Sequence, residues 1–296
     1  MFREVPVFID SPSGKLCAIV HYPETERPES WVISLNAGLQ CRTGPKRLYV
    51  AMARSLVKLG FGVIRVDLPG VGDSEGPDPE IHFDMHMQRS KTVHVVVDYV
   101  KSKFQPEKTI LQGLCSGARA AIRVAAERDD IDGLLAWSVP ILTSGPGMPS
   151  TSGSPKYGVS KAVAEESMGR LARVIREAKF LRLSFWRHHL TSAHLGTELK
   201  KAAWSAWLLL RNKAPTEVKG VFLQSLFDYL ESGRPIQFIY GERDTCEYRE
   251  FLDLNLDLAE GDFILLPGGT HTFATADQKY HAISGAGEWL VRNFQK

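Results

Sequence analysis

The chain has little cysteine, and none of its four cysteines (Cys17, Cys41, Cys115 and Cys246) stands in a CxxC pair. That usage excludes a disulfide scaffold and fits a reduced, cytoplasmic protein. An excess of one charge is also missing: 36 Lys+Arg stand against 34 Asp+Glu, a formal +2. So even a balance does not describe a nucleic-acid binder. No apolar run approaches the roughly 18 residues of a transmembrane helix. Met1 to Asp10 lacks the apolar stretch of a signal peptide. There is no Walker-type P-loop, and Gly70-x-Gly72-x-x-x-Gly76 misses the dinucleotide fingerprint by one position. No cofactor is expected. What remains is an ordinary globular composition, 44% hydrophobic and 24% charged over 296 residues. That length allows one large α/β domain or two smaller ones.

Short apolar runs alternate with longer helical patterns, which predicts an α/β fold with a mostly parallel eight-stranded sheet. The expected strands are Pro6–Asp10, Leu16–His21, Ser30–Asn36, Gly62–Asp67, Thr109–Gly113, Gly133–Ser138, Ile236–Tyr240 and Asp262–Leu266. Helices are expected near Lys46–Leu59, Met87–Lys103, Ala118–Glu127, Tyr248–Leu258 and Tyr280–Asn293. The first two strands have no helix between them and should pair as an antiparallel hairpin at one edge. From residue 140 to 233 the alternation stops. A Gly/Pro/Ser-rich opening is followed by amphipathic helical patterns. This predicts a core of residues 1–139 and 234–296, with 140–233 a helical cap over the carboxyl edge of the sheet, where open α/β sheets bind ligands.

The chemistry sits in TILQGLCSGARAAIRVAAE, from Thr109. Gly113-Leu114-Cys115-Ser116-Gly117 has the form of a nucleophile elbow with cysteine in the central place. A nucleophile on a sharp strand-to-helix turn needs small neighbours, which Gly113 and Gly117 supply. At a helix N-terminus its anion is stabilised, and a thiol there should carry more thiolate character. In this topology an acid and a histidine follow in chain order. Asp244 comes at a strand end in GERD, with Glu242 the alternative acid. His271 follows in the loop PGGTHTF. Asp244 would orient the imidazole, and His271 would act as base toward Cys115. An oxyanion needs two fixed N–H donors. One is assigned to Ser116, the other to the Gly38–Leu39 region, with Leu39 preferred.

Together these segments resemble the α/β-hydrolase superfamily over essentially the whole chain. VIRVDLPGVGDSEG, from Val63, adds the superfamily's Asp-x-x-Gly-x-Gly-x-Ser loop. NAGLQCRTGPKR, GLCSGARAA and LSFWRHHLTS more narrowly resemble exosortase-system-associated hydrolases. In the superfamily, cysteine nucleophiles occur in dienelactone hydrolases, bile-acid-CoA acyltransferases and Dieckmann-type cyclases. The departures are Asn36-Ala37 for the common His-Gly, and cysteine for serine. They favour a thioester substrate, so the expectation is a thioesterase, acyltransferase or cyclase. The alternatives are a carboxylic ester hydrolase and a non-catalytic binding protein of this fold.

Other signals are weaker. His82, Asp84 and His86 offer ligand types at alternate positions, but no second cluster accompanies them, and no metal is expected. His82 or His86 could instead line the substrate entrance. His188, His189 and His194 read as cap-surface or packing residues. Trp186, Trp204 and Trp207 read as cap core or acyl-pocket lining. From Lys156 to Lys213 there are 12 Lys/Arg and four Asp/Glu, a local +8 against −6 elsewhere. Such a rim would steer an acyl donor carried on coenzyme A or on an acyl-carrier protein.

Overall fold

The computed structural model describes residues 2–24, 27–77, 85–141, 221–252 and 254–295. Eight strands form one sheet: β1 (Phe2–Ser11), β2 (Gly14–Pro23), β3 (Ser30–Leu35), β4 (Gly62–Val66), β5 (Lys108–Leu114), β6 (Gly133–Trp137), β7 (Ile236–Gly241) and β8 (Phe263–Leu266). Their order is β1-β2-β4-β3-β5-β6-β7-β8. β1 and β2 make the antiparallel edge hairpin, β2 meets β4 antiparallel, and every later pairing is parallel.

The helices are α1 (Leu48–Lys58), α2 (Met85–Phe104), α3 (Ser116–Ala126), α4 (Val221–Glu231), α5 (Thr245–Leu252) and α6 (Ala276–Phe294). α1 and α6 pack on one face, where Leu48, Met52 and Leu56 meet Ile283, Trp289 and Leu290 over the sheet. α3, flanked by α2 and α4, packs on the other. Strands β3, β4, β6 and β7 are buried along their whole length, and β5 everywhere but Lys108. Two-sided cover explains why they read as continuous apolar runs rather than alternating ones.

Element boundaries moved where local chemistry intervened. β5 runs one residue past Gly113, and α3 starts at Ser116, so Cys115 alone makes the turn. Positive φ at Lys46 and Arg47 delays α1 until Leu48. α5 starts directly after Asp244, whose carbonyl accepts from Tyr248 N–H at 3.0 Å, and ends before Asn255, at φ +48°. α4 lies within the stretch assigned to the insertion. It packs on α3 through Phe222, whose ring lies 4.1 Å beneath the Arg119 guanidinium. The chain divides into two compact units. The sheet unit takes Met1–Pro140, Gly220–Tyr248 and Asn255–Lys296; the other takes Ile141–Lys219 and Arg249–Leu254. The expected cap lies almost wholly outside the described residues. Among those described, no helix is long and apolar enough to cross a membrane.

One buried polar group contributes to the acid stability of the sheet. His21, on β2, is fully buried; its Nε2 accepts from Arg65 Nε at 2.9 Å and its Nδ1 lies 3.5 Å from Glu4 Oε1. Burial and the Arg65 charge push the imidazolium down to about 4. The folded state excludes a proton that the unfolded chain takes up near 6.5, so stability is present above 6.5 and lost as pH falls toward 4. The full shift corresponds to about 3 kcal/mol. Denaturant unfolding at pH 7, 6, 5 and 4 is expected to show that fall. His21→Gln should be less stable at pH 7 but lack this part of the slope; an unaltered slope would assign it elsewhere.

Candidate active site

Backbone strain marks the elbow. Cys115 holds φ 56° and ψ −121°, a conformation that costs a non-glycine residue on the order of 1–3 kcal/mol. It is held by Cys115 N–H donating to Trp137 O at 2.9 Å and by Arg119 N–H donating to Cys115 O at 3.2 Å. The flanking glycines permit a close approach. A Cβ on Gly113 would lie 2.2 Å from the Gly117 carbonyl carbon, and one on Gly117 would lie 2.7 Å from Leu35 O. Tyr49, which the sequence did not single out, stitches the same corner. Its buried hydroxyl donates to Leu35 O and accepts from Leu114 N–H, each at 3.1 Å. Burial pushes that hydroxyl's pKa up, so it stays protonated as donor.

The acid and histidine loops meet through another glycine pair. A Cβ on Gly241 would sit 2.4 Å from the Gly269 carbonyl carbon. Arg243 N–H donates to Gly269 O at 2.7 Å and Glu242 N–H to Leu266 O at 3.0 Å. This brings buried Asp244 to His271, with Oδ2 2.8 Å from Nδ1. The Cys115 sulfur acts on the same ring, favouring its protonated form. The two loops and the elbow thus converge on one imidazole. Glu242 has a different place: it is exposed and accepts from Gly268 N–H at 2.7 Å, bracing the histidine loop.

The electrostatics follow from these contacts. Burial alone would lower His271, but the Asp244 hydrogen bond and the Cys115 sulfur outweigh it and raise the imidazolium to about 10. The ring is therefore a cation at neutral pH. Glu247, in the first turn of α5, was not anticipated. Burial, with the hydrogen bond and charge of Asp244, pushes its carboxyl up to about 7, so in the acid range it holds a proton shared with Asp244. The signal was Asp244-x-x-Glu247, a helix-start pattern that seats the fourth residue beside the first. Asp244, Glu247 and His271 offer three ligand-type atoms within 4.8 Å of one another. The hydrogen bond of His271 Nδ1 to Asp244 Oδ2 ties two of the three together.

The loop after β3 carries the other two residues of interest. Gly38 adopts φ +51°, and the Leu39 side chain is exposed. Asn36 Nδ2 donates to Gln40 O at 2.9 Å, closing the turn. Gly38 N–H donates to Ser116 Oγ at 2.8 Å, which commits that amide to the fold. Among the described residues, the N–H groups of Leu39 and Ser116 have no acceptor. His82, Asp84, His188, His189, His194, Trp186, Trp204, Trp207 and the basic stretch from Lys156 to Lys213 lie outside the described residues, as does the side chain of His86.

No family model matches the chain, and no curated protein does. Solved structures do. An esterase of Pyrococcus furiosus, Pf2001, is 17% identical with a TM-score of 0.60, over 99% of this chain and 91% of that one. Est1E of Butyrivibrio proteoclasticus, solved with ferulic acid bound, is 15% identical with a TM-score of 0.62, over 98% and 100%. A dienelactone hydrolase of Anabaena variabilis is 14% identical with a TM-score of 0.57, over 99% and 98%. With the strand order and the elbow, this likeness shows that the chain has the α/β-hydrolase fold.

Proposed function

We propose that the protein hydrolyses carboxylic esters, thioesters included, by acyl transfer to Cys115. The observation that supports this best is the pairing of a strained Cys115 at a strand-to-helix turn with a His271 held by Asp244, Oδ2 to Nδ1 2.8 Å. In the reacting pair the thiol proton passes to His271 and the sulfur is the nucleophile. The sulfur attacks the acyl carbonyl carbon. Negative charge gathers on the carbonyl oxygen, where the Leu39 and Ser116 N–H groups would receive it. The bond to the leaving oxygen or sulfur breaks, and His271 gives that atom its proton. Water then attacks the acyl-cysteine, His271 takes the water's proton, and the free acid leaves with the sulfur restored. Asp244 keeps the ring oriented through both halves. The esterases and the dienelactone hydrolase of like fold support ester hydrolysis as the reaction.

A second reading is transfer of an acyl chain from coenzyme A or a carrier protein to an amine or carbon acceptor. Cysteine in the nucleophile's place favours it, because an acyl-cysteine is a thioester, comparatively reactive toward such acceptors. The +8 stretch from Lys156 to Lys213 favours an anionic donor.

A panel of p-nitrophenyl esters and acyl-coenzyme A thioesters at pH 7, read by product mass, separates the readings. Free acid from both classes is the expected result. An amide or cyclic product in place of acid would move the assignment to the second reading. No turnover and no protein-bound acyl group across the panel would leave a binding protein.

A further inference from the structure

Arg89, on α2, is a buried cation that the mechanism above does not use. It is 6% exposed. Its Nη2 donates to Gly38 O at 2.5 Å, and its Nη1 lies 3.4 Å from Ser116 Oγ and 3.5 Å from Asn36 O. No described carboxylate pairs with it. A buried guanidinium on neutral oxygens is costly. Burial pulls it down to about 10, with the Cys115 sulfur pulling the other way, so it remains charged at neutral pH.

The contacts have a directional consequence. Gly38 O and Leu39 N–H belong to one peptide unit, which is planar and trans, so the two groups point in opposite directions. Whatever holds the carbonyl fixes where the N–H points. Gly38 has no Cβ, sits at φ +51°, and a Cβ there would meet nothing within 4 Å. Neither sterics nor side-chain packing at Gly38 resists a flip of this peptide. One polar contact does so directly, Arg89 on the carbonyl, while Ser116 Oγ anchors the preceding peptide through the Gly38 N–H. Ser116 Oγ also faces Arg89, so the three residues form a closed set around the loop.

We propose that Arg89 is the positioning residue of the oxyanion hole, holding the Gly38 carbonyl so that the Leu39 N–H faces the acyl oxygen of the substrate. The inference rests on the acyl-transfer reading of Cys115. Arg89 touches no reacting atom; it acts through the peptide it holds. Lysine at this place keeps the charge but not the planar fork that reaches Gly38 O and Ser116 Oγ together.

Two reactions of the same sulfur separate this role from a general one. Acylation by p-nitrophenyl acetate passes through an oxyanion; alkylation by iodoacetamide does not. Both are followed by intact mass in wild type, Arg89→Lys and Ser116→Ala. In Arg89→Lys the acylation rate is expected to fall by about 10²-fold, the lower range for loss of one oxyanion donor. Alkylation should stay within about twofold, which also shows that the elbow is folded. Ser116→Ala, which frees the Gly38 N–H, should show the same split to a smaller degree. Equal losses in both reactions would place Arg89 on the sulfur or the fold, and unchanged acylation would give it no role; either result overturns the proposal. If wild type alkylates at Cys115 but is never acylated there, the acyl-transfer reading itself falls, and this inference with it.

Discussion

Cys115→Ala is expected to abolish the acyl adduct and to lower turnover of any accepted ester by at least about 10³-fold, while the chain still folds. The size follows from the chemistry: without a nucleophile only the oxyanion donors and binding remain, and these sustain a small residual rate. The fold should survive because Cys115 contributes backbone geometry more than packing. Alanine can occupy the turn at a similar strain, and the hydrogen bond to Trp137 O is made by the main chain. Iodoacetamide provides the companion measurement. Cys17 is buried, and burial pushes its thiol up. Cys41 has its sulfur 3.1 Å from Thr43 Oγ1. Cys115, facing a cationic ring, should be alkylated first in the native protein. An alanine variant that turns over at the wild-type rate would end the assignment. So would alkylation of Cys17 or Cys41 ahead of Cys115.

How much of this was legible in the sequence depends on the kind of signal. The sheet was legible because two-sided burial leaves unbroken apolar strands, as in WVISL and IQFIY, and because the Gly113 and Gly117 pair announces a turn tighter than a side chain allows. Chain order then led to Asp244 and His271, since each follows a readable strand. Three participants stayed hidden. Tyr49 and Arg89 act from helices whose apolar faces looked like core, and nothing local distinguishes a buried hydroxyl or guanidinium that reaches across to another loop. Glu247 stood in a helix-start pattern, but its raised pKa depends on Asp244 being buried beside it, which is a tertiary fact. Likewise, the Gly38–Leu39 region could be named, but which amide was free could not. That choice is made by Ser116 Oγ, which occupies the Gly38 N–H from far along the chain.

The Glu247–Asp244 pair leads to the second large effect, in the variant Asp244→Asn. Removing this carboxylate takes away the hydrogen bond and charge that outweigh burial at His271. The ring's pKa should fall, so that it becomes neutral and loses its fixed tautomer. In a triad of this kind the loss reaches about 10⁴-fold in kcat. Here the fall should be smaller, because a spare carboxyl stands beside it. Burial and Asp244 itself push the Glu247 carboxyl up to about 7. With Asp244 gone, the hydrogen bond and repulsion that raise it are gone as well. Glu247 then ionises at a lower pH, with its ligand atom within 4.8 Å of that of His271. A carboxylate there restores part of the field at the ring. The single variant is expected to lose about 10²-fold, and the double variant Asp244→Asn with Glu247→Gln to lose about 10⁴-fold, the value for a triad with no acid. Glu247→Gln alone keeps a donor toward Asp244 and should work near the wild-type rate at pH 6. The double variant carries the distinction: a loss equal to that of Asp244→Asn alone would show that Glu247 never substitutes and that its place beside Asp244 serves the fold of α5.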